Sequence, residues 1–158
     1  MATFTSVQAA AGRAYAPLSA SPAVCSAYGE ISVTANPVAA DIYDMVRLPA
    51  GATVIGGYFY ADDIDTNATE TLDLDLGWAG NGNEALDADG FGNMGVLDGD
   101  AITGLKPEVG TFRPLGGVLF TTGPQTFTRE TMIQVTCVAT AATFAAGKMW
   151  VKIDYVLA

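Results

Sequence analysis

The sequence predicts an all-β fold: an antiparallel β-sandwich of jelly-roll type, preceded by an extended N-terminal arm. Three observations lead there. Short segments alternate apolar and polar residues with a period of two, the turns between them are rich in glycine and proline, and no amphipathic helix of useful length is visible. At 158 residues the chain fits one domain, a size at which folding removes roughly 68–70% of the unfolded surface from water and no disulfide staple is required. We divide it into an arm, residues 1–27, and a sandwich, residues 28–158.

The arm is rich in alanine and serine, is interrupted by Pro17 and Pro22, and carries Arg13 as its one charge. It has too few large apolar side chains for a core of its own, so it is ordered only where Phe4, Val7, Tyr15 and Leu18 find a groove elsewhere. From Gly29 the period of two begins, with Ile31, Val33 and Ala35 on one face and Glu30, Ser32 and Thr34 on the other, until Asn36-Pro37 breaks it. Asp41 to Leu48 is extended and closes on the turn Pro49-Ala50-Gly51. Over Thr53 to Ala61, Val54, Tyr58 and Tyr60 alternate with Ile55 and Phe59, which predicts a strand buried on both faces. Its Gly56-Gly57 pair predicts a bulge or a close approach by another backbone.

Asp62 to Asn67 reads as a loop. The ladder that follows sets Leu72, Leu74 and Leu76 against Thr71, Asp73 and Asp75, and a slip of one residue would bury two carboxylates. From Gly77 to Gly110 the alternation dissolves into glycine. An irregular stretch of that length points to function or an interface, with a short helical turn expected after the N-cap Asn83 and ending at Gly90. Order returns over Leu115 to Thr121, and Gly123-Pro124 turns the chain. Two well-patterned strands remain: Ile133, Val135 and Cys137 against Met132, Gln134 and Thr136, then Met149, Val151, Ile153 and Tyr155 against Trp150, Lys152 and Asp154. A final strand of that quality anchors the C-terminal segment in a sheet. Seven or eight strands result, and a partly open barrel would carry the same pattern.

The chemistry the chain lacks is informative. It contains no histidine, the side chain most used for proton transfer near neutral pH and for transition metals. Serine and threonine therefore have no histidine base, and Lys106, Lys148 and Lys152 show no Ser-x-x-Lys spacing. Asp73 and Asp75 share a strand face, but nothing supplies the raised pKa and cleft of a glycosidase pair, so no enzyme is expected. Asp62/Asp63/Asp65 and Asp87/Asp89/Asp98/Asp100 lack a full calcium frame: with Asp87 and Asp89 as the third and fifth ligands of a calcium loop, Ala85 and Val96 fall at its ends. Solvated loop carboxylates are the expectation, with no metal and no cofactor. Gly80-Asn81-Gly82-Asn83-Glu84-Ala85 spells a dinucleotide fingerprint without the buried parallel strand and long helix that the fingerprint needs. Cys25 and Cys137 are expected as buried reduced thiols, Cys137 on an inward face, with a single disulfide between them as the alternative.

Seventeen acidic against seven basic residues give a net charge of −10, which repels phosphate backbones and anionic headgroups, so no nucleic-acid or membrane partner is expected. No run approaches the ~18 apolar residues of a membrane span, and no signal-peptide pattern opens the chain. Apolar residues make up 50% and charged residues 15%, a low charge density that points to subunit contacts. Ile55, Tyr58, Phe59 and Tyr60 are the candidates for them. Tyr58, Tyr60 and Trp78 could instead stack on a sugar ring, although such residues more often serve cores or subunit contacts.

Two blocks carry a resemblance. Asp41-Ile-Tyr-Asp-Met-Val-Arg-Leu-Pro-Ala-Gly-Ala-Thr-Val-Ile-Gly-Gly-Tyr-Phe-Tyr-Ala61 and Arg113-Pro-Leu-Gly-Gly-Val-Leu-Phe-Thr-Thr-Gly-Pro-Gln-Thr-Phe127 resemble small auxiliary head proteins of tailed bacteriophages. The resemblance implies a capsid decoration, or cement, protein. Such a protein is a β-sandwich that forms a homotrimer on the outer surface of the head at local threefold positions and clamps neighbouring copies of the major capsid protein. It would be made in the host cytoplasm and reside in the virion. The arm residues Phe4, Val7, Arg13 and Tyr15, which have no local core, are then the candidate capsid contacts. The alternatives are a surface-displayed carbohydrate-binding or host-adhesion module using the Gly77 to Gly110 stretch, and a tail component.

Overall fold

The leucine–aspartate alternation does build a strand, and the strands around it close into two sheets. The structure, a computed structural model, describes residues 1–5, 23–96 and 111–157. In chain order these form β1 (Thr3–Thr5), β2 (Cys25–Val33), β3 (Ile42–Leu48), β4 (Ala52–Ala61), β5 (Asp73–Trp78), β6 (Asp87–Val96), β7 (Thr111–Pro114), the single helical turn α1 (Val118–Thr121), β8 (Gln125–Thr126), β9 (Thr131–Ala139) and β10 (Gly147–Leu157). The first sheet runs β1-β3-β9-β5-β6. The second runs β2-β10-β4-β7, with β8 also on β4. Pairing is antiparallel except between β1 and β3. The expected antiparallel sandwich is the observed fold.

The core lies between the sheets where the alternation put it. Ile31 and Val33, Leu72, Leu74 and Leu76, Ile133, Val135 and Cys137, and Met149, Val151, Ile153 and Tyr155 are all buried. Each large apolar side chain so enclosed contributes roughly 1.5–3 kcal/mol, which is why the register of these strands is firmly set. Ala35 is the exception. It is exposed, because β2 ends at Val33.

The strand expected to be buried on both faces is buried on one. In the pairing with β10, Asp154 faces Gly56 and Tyr155 faces Val54, so Ile55 is an extra residue on β4. This bulge shifts the alternation by one position. Val54 and Phe59 both turn inward, while Tyr58 and Tyr60 turn outward and Ile55 is 42% exposed. The close approach expected at the glycine pair is also present: at Gly57 (φ 145°) a Cβ would lie 2.1 Å from the Lys152 carbonyl oxygen.

Two further expectations are corrected. Residues Asp87–Val96 form a full strand paired with β5, and no helical turn follows Asn83. Asn83 does not cap a helix there; the Asn81 side-chain oxygen accepts from the backbone amides of Asn83 (2.9 Å) and Glu84 (2.8 Å), making a turn. The glycines that looked like loop belong to an irregular strand with two register shifts against β5. Gly90 passes directly beneath an indole, since a Cβ there would sit 2.1 Å from the Trp78 ring. The remainder of the stretch, 97–110, lies outside the described residues. Within Leu115 to Thr121 the ordered element is α1, and the strand precedes it as β7.

Cys25 and Cys137 are both free thiols; Cys137 is buried as expected, whereas Cys25, at the start of β2, is only half-buried. Burial, followed by the charges of Asp41 and Asp73, pushes the Cys137 thiol up to about 11. The native protein is therefore expected to leave Cys137 unalkylated by iodoacetamide at pH 8 and to react there only after denaturation, as peptide mapping would show. Among the described residues no helix is long and apolar enough to cross a membrane.

Candidate interaction site

The outward side chains of the second sheet meet in two rows that only its strand order brings together. Across β2, β10, β4 and β7, one row runs Glu30, Trp150, Tyr60, Phe112 and the next runs Tyr28, Lys152, Tyr58, Pro114. The Tyr60 and Trp150 rings lie 4.8 Å apart, Tyr58 and Phe112 lie 5.2 Å apart, and the Lys152 ammonium sits 5.8 Å from the Tyr58 ring centre. Tyr28, Tyr58, Tyr60, Phe112 and Trp150 line a shallow depression of about 310 Å³.

The polar groups beside it are paired. Glu30 accepts from the Lys148 ammonium at 2.6 Å and from the Trp150 indole N–H at 2.7 Å, and these hold its carboxyl below the usual range. Lys152 donates to Asp154 at 2.9 Å. Burial, then Glu30, raises the Tyr28 hydroxyl, and burial, then Asp62, raises that of Tyr60. Clustered aromatic rings flanked by charges that are paired within the copy make a contact platform.

Of the residues expected at a subunit contact, Tyr58 and Tyr60 lie in this depression and Ile55 is exposed at the neighbouring bulge. Phe59 is corrected. It is fully enclosed in the core, because the bulge turns it inward. Trp78 is not at the surface either: it is 5% exposed and its indole N–H donates to the Ala85 carbonyl at 2.9 Å. Tyr28, Phe112 and Trp150 were not singled out by sequence reasoning. The one available signal was the placement of Trp150 and Lys152 on the polar side of the last strand.

The outward face of the first sheet has the opposite character. Asp44, Asp73, Asp75, Asp87 and Asp89 stand on its strands β3, β5 and β6. Burial, then Asp89 and Asp73, raises the Asp75 carboxyl; burial, then Asp89, raises that of Asp87. Among the described residues no three acidic or thiol groups converge as a metal cage. The loop cluster Asp62/Asp63/Asp65 is not uniformly solvated as expected. Asp65 is fully buried, and Asp62 accepts from the Lys148 backbone amide at 2.8 Å. The segment that spells a dinucleotide fingerprint is the turn between antiparallel β5 and β6, tied to the loop before β9 by a hydrogen bond from Thr128 to Glu84 (2.7 Å) and to the first residue of β9 by one from Asn81 to Thr131 (2.7 Å).

The beginning of the arm lies along the edge of this acidic sheet. Ala2 donates its N–H to the buried Asp41 carboxylate at 2.9 Å, Ile42 donates to the Ala2 carbonyl at 2.8 Å, and Thr5 donates to Asp44 at 3.3 Å. The Phe4 ring, 39% exposed, stacks on Tyr43 at 4.9 Å. Val7, Arg13 and Tyr15 lie outside the described residues.

The sequence matches no protein-family model and no curated protein. Solved structures do resemble it. A chain of the cyanophage Pam1 capsid asymmetric unit is 27% identical, with a TM-score of 0.67 over 94% of this chain and 95% of that one. A chain of the capsid of Ralstonia phage GP4 is 22% identical, with a TM-score of 0.73 over 99% and 97% of the two chains. A chain of the acidic stable capsid structure of Helicobacter pylori bacteriophage KHP30 is 18% identical, with a TM-score of 0.53 over 85% and 87%. The resemblance to phage head proteins read from the sequence thus has counterparts in capsid structures.

Proposed function

We propose that the protein is a structural component of a bacteriophage virion: a decoration, or cement, protein that binds the outer surface of the head as a homotrimer and stabilises the lattice of the major capsid protein. The observation that carries this reading is the likeness to a chain of the Pam1 capsid over nearly the full length of both chains, which makes the whole fold, and not a grafted module, the functional unit. The strand order supports its jelly-roll character. With β1 and β8 set aside, β2-β10-β4-β7 faces β3-β9-β5-β6, an eight-stranded double sheet in which the chain crosses between sheets at all but one connection. The net charge of −10 suits a surface turned away from packaged nucleic acid.

Binding that favours the mature lattice over its precursor stabilises that lattice by mass action, by about 2.7 kcal/mol per site at a free concentration a hundredfold above Kd. No bond is made or broken. In this reading Phe4, Val7, Arg13 and Tyr15 of the arm contact the capsid, and Ile55, Tyr58 and Tyr60 contact the neighbouring copy. The carbohydrate-binding alternative loses one of its three rings, since Trp78 is in the core, and keeps Tyr58 and Tyr60 at the surface.

Cosedimentation with heads lacking the protein tests the proposal. Saturable binding to mature heads, weak binding to precursor heads and a raised temperature of head rupture are expected. Deleting residues 1–22, which leaves β2 intact, is expected to weaken binding at least tenfold. Absence of binding to mature heads refutes the function, and unchanged affinity of the deletion variant refutes the role of the arm.

A further inference from the structure

Phe120 is 81% exposed, and none of the described residues buries it. It is nevertheless held stiffly. The turn that carries it is closed by hydrogen bonds from Phe120 to the Gly117 carbonyl (3.1 Å), Thr122 to Val118 (2.8 Å) and Gly123 to Val118 (3.0 Å). The base of the turn is fastened to β6 by the Gly116 amide on the Phe91 carbonyl at 2.7 Å. Gly117 (φ 55°) lies so close to β6 that a Cβ would meet the Gly90 oxygen at 2.3 Å. An apolar ring presented on a stiff support loses little freedom when it is covered, which is the property of an interface anchor.

The same chain carries a recess that suits such a ring. The depression of about 310 Å³ is walled by five aromatic side chains, and Phe120 is not among them. Aromatic rings favour offset and edge-to-face neighbours, so a phenyl group seated against Tyr58, Tyr60 and Trp150 extends the ring contacts already present. Charge selects the same face. The copies carry a net charge of −10 each, and the carboxylates of Asp44, Asp73, Asp75, Asp87 and Asp89 on the first sheet oppose its approach to a like surface. On the second sheet the Lys148–Glu30 and Lys152–Asp154 pairs compensate one another within the copy.

From this we infer that Phe120 of one copy seats in the Tyr58/Tyr60/Trp150 depression of the next, so that the aromatic face is a contact between copies. Knob and recess are different patches of one surface, so the contact closes either by reciprocal exchange across a two-fold axis or head-to-tail around a ring; in the trimer of the proposed function it would be the ring of three. The inference deepens the subunit contact in that reading and does not itself require the capsid.

Sedimentation equilibrium of the full chain, as wild type, Phe120→Ala, Tyr58→Ala and the double variant, tests it. The wild type is expected to associate, and each single variant to weaken association about ten- to a hundredfold. Because both substitutions remove the same contact, the double variant is expected to be no weaker than about the worse single. Phe120 is exposed, so its variant remains folded, which circular dichroism would verify. A monomeric wild type at the highest attainable concentration overturns the inference. So does a Phe120→Ala variant of unchanged mass, a strictly additive double variant, or saccharide binding in the depression without effect on association. A wild-type oligomer that ignores heads would refute the proposed function and leave this contact standing, whereas a monomer that binds heads would refute this contact alone.

Discussion

Asp65→Ala is expected to lower the free energy of unfolding by about 3–5 kcal/mol, seen as an earlier urea midpoint at unchanged slope. One Asp65 oxygen accepts the backbone N–H groups of Thr71 (2.7 Å), Leu72 (3.1 Å) and Ala142 (2.9 Å), and the other accepts those of Thr143 (2.9 Å) and Asn67 (3.4 Å). The carboxylate joins the connection between β4 and β5 to the connection between β9 and β10, beside the bridge from Asp65 to Phe144. Truncation orphans several shielded donors at once, each costing about 1–3 kcal/mol before water relieves some of them. Asp63→Ala, two residues away, is expected to change stability little. An equal loss at both positions would refute the account.

The same site has a pH signature. Burial pushes the Asp65 carboxyl up, but the amides of Thr71, Thr143, Ala142 and Leu72 outweigh it and hold the group down at about 2. Because this lies below its value in the unfolded chain, the contribution of about 2 kcal/mol is complete above about pH 4 and is lost as pH falls through 2. Asp75 and Asp87 act in the opposite direction: raised in the folded state, they cost stability while ionised and release it as they protonate on acidification. Asp65→Asn is therefore expected to flatten the acid limb of the stability curve. A limb as steep as that of the wild type would contradict the assignment.

What could be read from the sequence was whatever depends on alternation alone. Leu72, Leu74 and Leu76, and Met149, Val151, Ile153 and Tyr155, reveal their inward face because β5 and β10 keep their period through those positions. The extra residue Ile55 breaks that link in β4. Nothing local to the sequence says which residue is skipped, so Phe59 and Tyr58 exchanged sides. β6 escaped detection because glycine was needed under the Trp78 indole, and glycine there imitates a loop. The aromatic platform was illegible for a different reason. Tyr28, Tyr58, Phe112 and Trp150 are far apart in the chain and become neighbours only through the order β2-β10-β4-β7, which is a property of the whole topology. Asp65 was indistinct from Asp62 and Asp63 because its role depends on amides contributed by Thr71, Leu72, Ala142 and Thr143.

Trp78→Ala is expected to cost about 3–5 kcal/mol, and to do so without disturbing the aromatic platform on the other sheet. Trp78 ends β5 between Asp87 of β6 and Ile133 of β9, and its ring meets Phe91 at 5.0 Å and Phe127 at 5.3 Å, both edge-on. Removing it opens a cavity among side chains that are themselves fully buried, and removes the hydrogen bond to the Ala85 carbonyl. Trp78→Phe retains most of the volume and loses only that hydrogen bond, so a smaller loss of about 1–2 kcal/mol is expected. Gly90 supplies the discriminating measurement. A methyl group there collides with the indole in the wild type, yet fits the space left by Trp78→Ala, so Gly90→Ala is expected to be strongly destabilising alone and much less so in the Trp78→Ala background. Urea unfolding of the four proteins gives the coupling directly. Additive losses would mean that the glycines of β6 are present for some reason other than the ring packed against them.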